Sequence, residues 1–503
     1  MTASKKLNRR EFLGSAAAAS LAFTVVPRYV MGGPGYVAPS DKITIGYIGC
    51  GTQGLREMTS LISDPSIQIV AVCDPNKMTT DYVDWSQNDV RDSIRRALGE
   101  STWGENLKGI PGGRDIGQEF VQKYYAKSKN TGTYSGCASY ADFRELLEKE
   151  KDVNAIKIMT PDHLHATVAI ASMKKGKHVV THKPIANRMN EAKLTIDTAR
   201  NTGLSTHLLA WSKLNGYDTI KLWIKDGAIG TLKEIHNWSN RPMWPQWQTN
   251  PTDTPPVPKD FDWALWLGPV PDRPYHPNYT HAVFRGWYDF GGGSIADMGH
   301  YSLFPLFLTL GINTPARSAE AYGTTTCALQ NNNVAVGVKN NVAFPLSCII
   351  RFQFPAQQEL PPFDLFWYDG GMKPPTPEEL GAEGKSFTPE GMMFIGDKGK
   401  ILAGFRGENP RLFPENKMKD IKPEARDENG QRGNSAWIEA FKNNTQSPGS
   451  FIYAGPVTET ILLGAVALRA GKKVEYDTVN MKITNNKEAD KYLTREYRKG
   501  WEL

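Results

Sequence analysis

The sequence has little of what marks disulfide-stapled, metal-binding, nucleic-acid-binding or membrane-embedded chains. Its five cysteines, Cys50, Cys73, Cys137, Cys327 and Cys348, are odd in number, scattered through 503 residues and free of metal-ligand spacing. They read as small buried apolar residues, and neither a disulfide framework nor a metal site is expected. No internal repeat or low-complexity tract stands out. Beyond residue 26 no apolar run reads as membrane-spanning. An excess of one charge is also missing. The formal charge is +6, but five positive side chains and one negative one lie in residues 1 to 40, leaving about +2 on the rest. A nucleic-acid partner is therefore not indicated. The 40% apolar content at this length is enough for a large core shared by two domains.

What is present begins with Lys5, Lys6 and the string Asn8-Arg9-Arg10-Glu11-Phe12-Leu13. A small apolar run over residues 14 to 26 follows, closed by Pro27. Charge, apolar run and breaker in that order predict a twin-arginine signal, hence export in the folded state by the twin-arginine machinery to the periplasm. No small-x-small cleavage site is visible, and residues 30 to 39 either hold the cut or remain as an arm.

Behind this leader an apolar strand, Ile43-Thr-Ile-Gly-Tyr-Ile48, runs into Gly49-x-Gly51-x-x-Gly54. Gly49 permits the tight turn, Gly51 lets backbone approach a pyrophosphate, and Gly54 lets the next helix, opening at Thr52 and Gln53, pack against the strand. Six-residue glycine patterns arise by chance, so context decides. A second strand over residues 67 to 73 ends at Asp74, about 20 residues past the last glycine, where an acid that binds ribose hydroxyls is expected. A carboxylate there repels a 2′-phosphate, which favours NAD over NADP. An exported chain that collects NAD in the cytoplasm must hold it tightly. Each catalytic cycle must then restore the cofactor's redox state in place.

The alternating pattern of strands near residues 153 to 159, 178 to 181 and 205 to 209, with helices near 140 to 148, 165 to 175 and 190 to 202, predicts a doubly wound parallel sheet. A long insertion occupies roughly 80 to 135, a length that suggests function or helices of its own. After about residue 213 the alternation stops. Longer strands near 232 to 240, 317 to 325, 334 to 338, 346 to 354 and 392 to 402 predict an open, mostly antiparallel sheet. The expected division is a leader over 1–40, a Rossmann domain over 41–210 and a substrate-binding α+β domain over 211–503.

Three segments could carry chemistry. Thr160-Pro161-Asp162-His163-Leu164-His165 and His182-Lys183-Pro184 follow short strands and so fall at the carboxyl edge of the sheet, where ligands bind in open α/β folds. Asp162 is sufficiently explained as a helix cap. The third segment, Trp287 to Tyr301, opens a helix with Asp297 and His300 three residues apart on one face. Ser294-Ile-Ala-Asp297 could also be a capping box that only satisfies helix amides.

The glycine turn, the Thr160-Pro161-x-x-x-His165 loop, the Lys183-Pro184 pair and the Gly-Gly-Gly-x-x-x-Asp297-x-Gly299 helix start resemble the glucose-fructose oxidoreductase, inositol dehydrogenase and rhizopine-catabolism (Gfo/Idh/MocA) family. So do Trp263-x-x-Trp266-Leu-Gly-Pro269 and the tail Tyr497-Arg-Lys-Gly-Trp-Glu-Leu503, in the manner of an exported bacterial branch. The resemblance implies a Rossmann domain joined to an open-faced sheet, a substrate held between them, and assembly into a dimer or tetramer. Thr160, Pro161, His163, His165 and His182 would then lie along the cofactor. Lys183 would sit beside both nicotinamide and substrate hydroxyl, and Asp297 would orient a histidine base. Two positions depart from the pattern. His182 stands where the family has Glu before Lys-Pro, and Tyr301 stands where it has a histidine, with His300 one residue earlier. His300 is therefore the leading base, with Tyr301 and His182 as rivals.

Arg241, Trp244, Arg285, Trp287 and Tyr288 would line a sugar pocket, since aromatic faces and planar hydrogen-bonding groups match sugar rings. The leading expectation is an oxidoreductase acting on a ring hydroxyl, C3 first, of a sugar or glycoside. The alternatives are a glycosidase whose bound NAD ends each turnover unchanged and a noncatalytic accessory protein that keeps the cofactor fold.

Overall fold

The computed structural model describes residues 41–503 apart from 214, 358, 383 and 415–433. The expected twin-arginine leader and arm lie outside the described residues. Strands β1 (Ile43–Ile48), β2 (Ile67–Cys73), β3 (Ala138–Tyr140), β4 (Ala155–Ile158), β5 (His178–Thr181) and β6 (Thr206–Leu208) form one sheet in the order β3-β2-β1-β4-β5-β6. Every pairing in it is parallel. The near-continuous burial of β1 and β4 is what a parallel strand covered by helices on both faces requires. The order reverses between β1 and β4, and a crevice opens at the carboxyl ends of the strands at such a reversal. Helix α1 (Thr52–Leu61) leaves β1 at that point, and helix α2 (Asp162–Lys174) leaves β4.

The second sheet has nine strands. They are β7 (Leu232–Trp238), β8 (Ser318–Gly323), β11 (Cys348–Phe354), β12 (Phe363–Tyr368), β13 (Gly391–Gly396), β14 (Lys400–Ala403), β15 (Arg411–Phe413), β16 (Val474–Asp477) and β17 (Lys482–Ile483), in the order β15-β14-β13-β7-β12-β11-β8-β16-β17. Among the described residues of this sheet only β7 with β12 pairs parallel. The intervening hairpin β9 (Cys327–Gln330) with β10 (Val334–Gly337) stands outside this sheet and is exposed along its length. The strand expected over 334 to 338 is thus half of a separate ribbon, and the one expected over 392 to 402 is the β13–β14 hairpin.

Strict alternation along β11 leaves one face of the sheet covered and the other open. Helix α3 (His300–Leu310) and helix α4 (Phe451–Ala470) pack together in the interior, with α4 also lying along β8 and β11. Helix α4 is apolar and long enough to cross a membrane, yet 67% of its apolar window is buried inside the protein. Its composition is that of a core helix between two layers. Helix α2 is fastened to the segment 263–290 by His163, whose ring packs on Trp266 and Phe290. The C-terminal tail adds a buried Arg495–Glu191 ion pair at 2.5 Å.

Candidate active site

Two joined cavities lie between the sheets. The first, about 940 Å³, is bounded by Gly49, Gly51, Thr52, Gln53, Gly54 and Asp74, and also by Thr160, Pro161 and His182. Its floor is set by backbone. Gly49 has φ +101°, and a Cβ on it would stand 2.5 Å from the Met159 carbonyl group. A Cβ on Gly54 would run into the Gly49 carbonyl oxygen. Gly51 caps α1 with no side-chain hydrogen bond, so the first amides of that helix face the cavity unpaired and favour an anion. Asp74 accepts hydrogen bonds from the Cys50 amide (2.7 Å) and the Asn76 amide (2.8 Å), one on each oxygen. Each oxygen keeps a lone pair for a hydroxyl. Burial pushes the Asp74 carboxyl up to about 6, against the pull of the two amides and Arg114. Free helix amides, a close backbone turn and a buried acid at the end of β2 fit the pyrophosphate and ribose of a dinucleotide.

The second cavity, about 850 Å³, shares Gln53, Trp85, His182, Ala282 and Arg285 with the first and adds Lys183, Arg241, Trp244, Asp297, Tyr301 and Arg406. Lys183 is 2% exposed, and its ammonium donates to Asp297 Oδ1 at 2.5 Å. Arg285 Nε donates to the same oxygen at 3.1 Å. Burial alone would raise the Asp297 carboxyl, but Lys183 and Arg285 outweigh it and hold Asp297 well below the usual carboxylate range. Burial, aided by Arg285, pulls Lys183 below the ordinary lysine range while Asp297 resists. His182 Nε2 lies 3.1 Å from Tyr301 Oη. Burial and then the neighbouring Lys183 and Arg285 keep His182 neutral, far below its ordinary value. Burial and then Asp297 push the Tyr301 phenol up.

Asp297 belongs to a π-helical turn, Ile295–Gly299, that runs directly into α3. A π turn is wider than 3.6 residues, so residues four apart, Asp297 and Tyr301, face the cavity together. His300 is rotated away from it. His300 is fully buried, with Nδ1 3.0 Å from the Ala296 carbonyl and Nε2 3.3 Å from Thr458 Oγ1 on α4, and burial pushes its imidazole down to about 3. The expectation that His300 leads as base is corrected accordingly, because its ring has no path to the cleft. The capping box does not form either, since Ser294 makes no cap hydrogen bond and its side chain bonds Asp369.

Other expected site residues also lie elsewhere. His163 is buried between the sheets, its Nε2 2.8 Å from the Trp266 carbonyl, and is a fastening group. His165 sits behind the site, with its ring nitrogens 2.6 Å from the Pro184 carbonyl and 2.9 Å from the Thr160 carbonyl, so it ties the two cavity loops together. Trp287 is 2% exposed, donates to the Asn278 carbonyl at 2.6 Å and stacks on Trp247. Tyr288 packs under Arg469, outside both cavities. Arg241, Trp244 and Arg285 do line the second cavity.

Residues not foreseen include Tyr82, whose ring would stand 3.1 Å from a Cβ on Gly51, and Trp85. Both come from the front of the long insertion, whose length was their one signal. Arg406 lies in a turn after β14 that no sequence pattern marks.

Comparison with known proteins gives the same two halves. Residues 118–208 match the oxidoreductase family's NAD-binding Rossmann fold, and residues 227–343 match its C-terminal alpha/beta domain. A levoglucosan dehydrogenase of Pseudarthrobacter phenanthrenivorans is 31% identical over 114 residues, 21% of this chain and 29% of that protein. A glycosyl hydrolase family 109 protein of Shewanella pealeana is 27% identical over 211 residues, 39% of this chain and 38% of that protein. The chain thus spans well under half the length of either curated relative. Among solved structures, levoglucosan dehydrogenase in its apo form superposes with a TM-score of 0.50 at 14% identity, covering 86% of this chain and 98% of that one. The WlbA dehydrogenase from Chromobacterium violaceum, solved with NADH and UDP-GlcNAcA, gives 0.50 at 15% identity, covering 87% and 97%. Those two likenesses speak for the fold. Both segments match, in chain order, the two domains of one family, the NAD-binding Gfo/Idh/MocA oxidoreductases, and the glycine cradle lies upstream of the first matched segment.

Proposed function

We propose that the protein is an exported oxidoreductase that moves a hydride between the carbon bearing a ring hydroxyl of a sugar or glycoside, C3 first, and an NAD it keeps bound. The observation that carries this reading is the buried Lys183 ammonium, held by Asp297 in the second cavity next to His182, which lines both. Gly49, Gly51, Thr52, Gln53 and Gly54 would cradle the pyrophosphate, and Asp74 would accept from a ribose hydroxyl. When bound, NAD supplies the acceptor for the hydride.

Everything else falls to side chains. Lys183 donates a hydrogen bond to the substrate oxygen and stabilises the alkoxide charge that grows there. Asp297, ionised throughout, keeps that ammonium charged and aimed. The departing proton needs a group that starts unprotonated. Tyr301 takes it as its own phenol proton passes to the neutral His182 Nε2, 3.1 Å away. Retention of the cofactor follows from the leader: a protein that crosses a membrane folded carries its nucleotide with it.

A second reading has its own support, because the family 109 relative matches over a longer stretch than the dehydrogenase. A ketone at C3 acidifies the neighbouring C–H, so the same residues could serve a glycosidase that oxidises, eliminates, hydrates and re-reduces. Assembly through the open face of the second sheet into a dimer or tetramer is also proposed, with light scattering as its check. Nucleotide released on denaturing the purified protein, followed by product analysis with a glycoside panel, tests the main reading. Keto sugar with reduced cofactor supports the oxidoreductase, and free aglycone with the cofactor unchanged supports the glycosidase. A protein that neither holds nor takes up NAD overturns both.

A further inference from the structure

We propose that the second cavity contains a subsite for an oxyanion, so that its sugar bears a carboxylate or a sulfate or phosphate ester; this rests on the reading of that cavity as the sugar site. Four cationic side chains, Lys183, Arg241, Arg285 and Arg406, line it against two carboxylates, Asp84 and Asp297. Asp297 is already shared between Lys183 and Arg285. Asp84 is paired with Arg56, outside the cavity wall. Among the described residues no carboxylate lies within ion-pair distance of the Arg241 or Arg406 side chain. Glu408, the acid nearest Arg406 in sequence, accepts from the Arg406 backbone amide at 2.7 Å and not from its guanidinium.

Two further observations point to a missing ligand. Arg241 Nε and Trp244 Nε1 are both buried without any hydrogen-bond partner. Buried N–H groups are seldom left so, and a ligand oxygen is what would satisfy them. The Arg406 guanidinium is held 4.7 Å over the Tyr301 ring, at the wall beside the reacting group, and not out in solvent. Guanidinium groups present planar forks that match carboxylate, sulfate and phosphate oxygens. In a cleft partly screened from water, two unbalanced positive charges favour an anionic guest over a neutral one of the same shape.

Equilibrium binding to the NAD-loaded protein, followed through the fluorescence of Trp85 and Trp244, tests this without requiring turnover. The probes are a methyl glucuronide, the matching methyl glucoside, and a sulfate and a phosphate ester of the same sugar, each at low and high salt. At least one anionic probe should bind about tenfold or more tightly than the glucoside, with the advantage shrinking as salt rises. The best probe identifies the oxyanion. Arg406→Gln and Arg241→Gln should each reduce the ratio of anionic to neutral affinity by about tenfold. A glucoside that binds as well as all three anions, or a preference untouched by both substitutions, overturns the proposal. Anion preference without any reduction of cofactor would overturn the oxidoreductase reading and leave this one standing. Turnover of neutral sugars without anion preference would do the reverse.

Discussion

The two cavities are built by different means. The dinucleotide cavity is made by backbone within a short stretch of chain: a glycine turn, unpaired helix amides and one acid at the end of the next strand. The second cavity is made by side chains brought from far apart, with Lys183 after β5, Arg241 after β7, Asp297 from the π turn and Arg406 after β14. A backbone site depends on a few positions where no other residue fits. A side-chain site depends on charge balance and can change guests by exchanging single residues.

That contrast is broken most sharply by separating cofactor retention from chemistry. Lys183→Ala leaves the glycine cradle intact, so NAD should stay bound while kcat falls about 10²- to 10³-fold, the usual effect of deleting a donor aimed at a developing oxyanion. Gly54→Val should do the opposite to the cofactor, since its Cβ would overlap the Gly49 carbonyl and nucleotide would be lost on gel filtration. A Lys183→Ala protein that keeps full turnover removes the lysine from the mechanism. Charge on Lys183 also sets an alkaline limb. Because burial lowers its pKa, kcat/KM should decline as pH rises through a value below that of a free lysine.

Next in size is Tyr301→Phe, which cuts the path from substrate oxygen to His182. A loss of about 10- to 100-fold in kcat is expected, with little change in nucleotide content. Equal rates for the phenylalanine variant would leave His182 to act directly.

The same division explains what the sequence could and could not reveal. Glycine spacing and the Asp74 position report on backbone geometry, which is local, so the first cavity was legible from the primary structure. The parallel sheet was legible for a similar reason, its buried strands and amphipathic helices recurring in alternation, although the three-residue β3 escaped. Strands β9, β12, β15, β16 and β17 were missed because runs of two to six residues leave weak periodicity. In the second cavity Lys183, Arg241, Trp244 and Arg285 are present as expected, but Trp287 and Tyr288 are packing groups, as is His163, which was expected along the cofactor. Type and neighbourhood in sequence do not say which way a side chain points. His300 is the clearest case, because a single π turn decides whether the residue three or four places after Asp297 faces the cleft.

A gentler probe of the backbone cavity is pH. Burial raises the Asp74 carboxyl to about 6, so it is ionised above that value and can accept from ribose hydroxyls. As pH falls through about 6 the carboxyl gains a proton, and the NAD dissociation constant should rise several-fold, up to about tenfold per unit. The raised pKa has the opposite sign for the empty protein. This group's contribution to stability is fully present below the ordinary value of 3.8 and is lost as pH rises through about 6. Asp74→Asn should flatten both profiles, and an unchanged slope in NAD affinity would show that the acid does not meet the ribose.

The smallest functional effect should come from the residue that looked most catalytic. His300 is closed in by Ala296 and Thr458, away from the cleft, so nothing there depends on its titration. His300→Gln, which keeps polar atoms near both partners, should change kcat by no more than about twofold while lowering thermal stability, since a buried hydrogen-bonded side chain is imperfectly replaced at a cost of about 1–3 kcal/mol. Measured beside Tyr301→Phe in one assay, the pair isolates the π turn: if His300→Gln proves the more damaging to kcat at equal nucleotide content, the helix must present the other face to the substrate, and the relay through Tyr301 and His182 has to be abandoned.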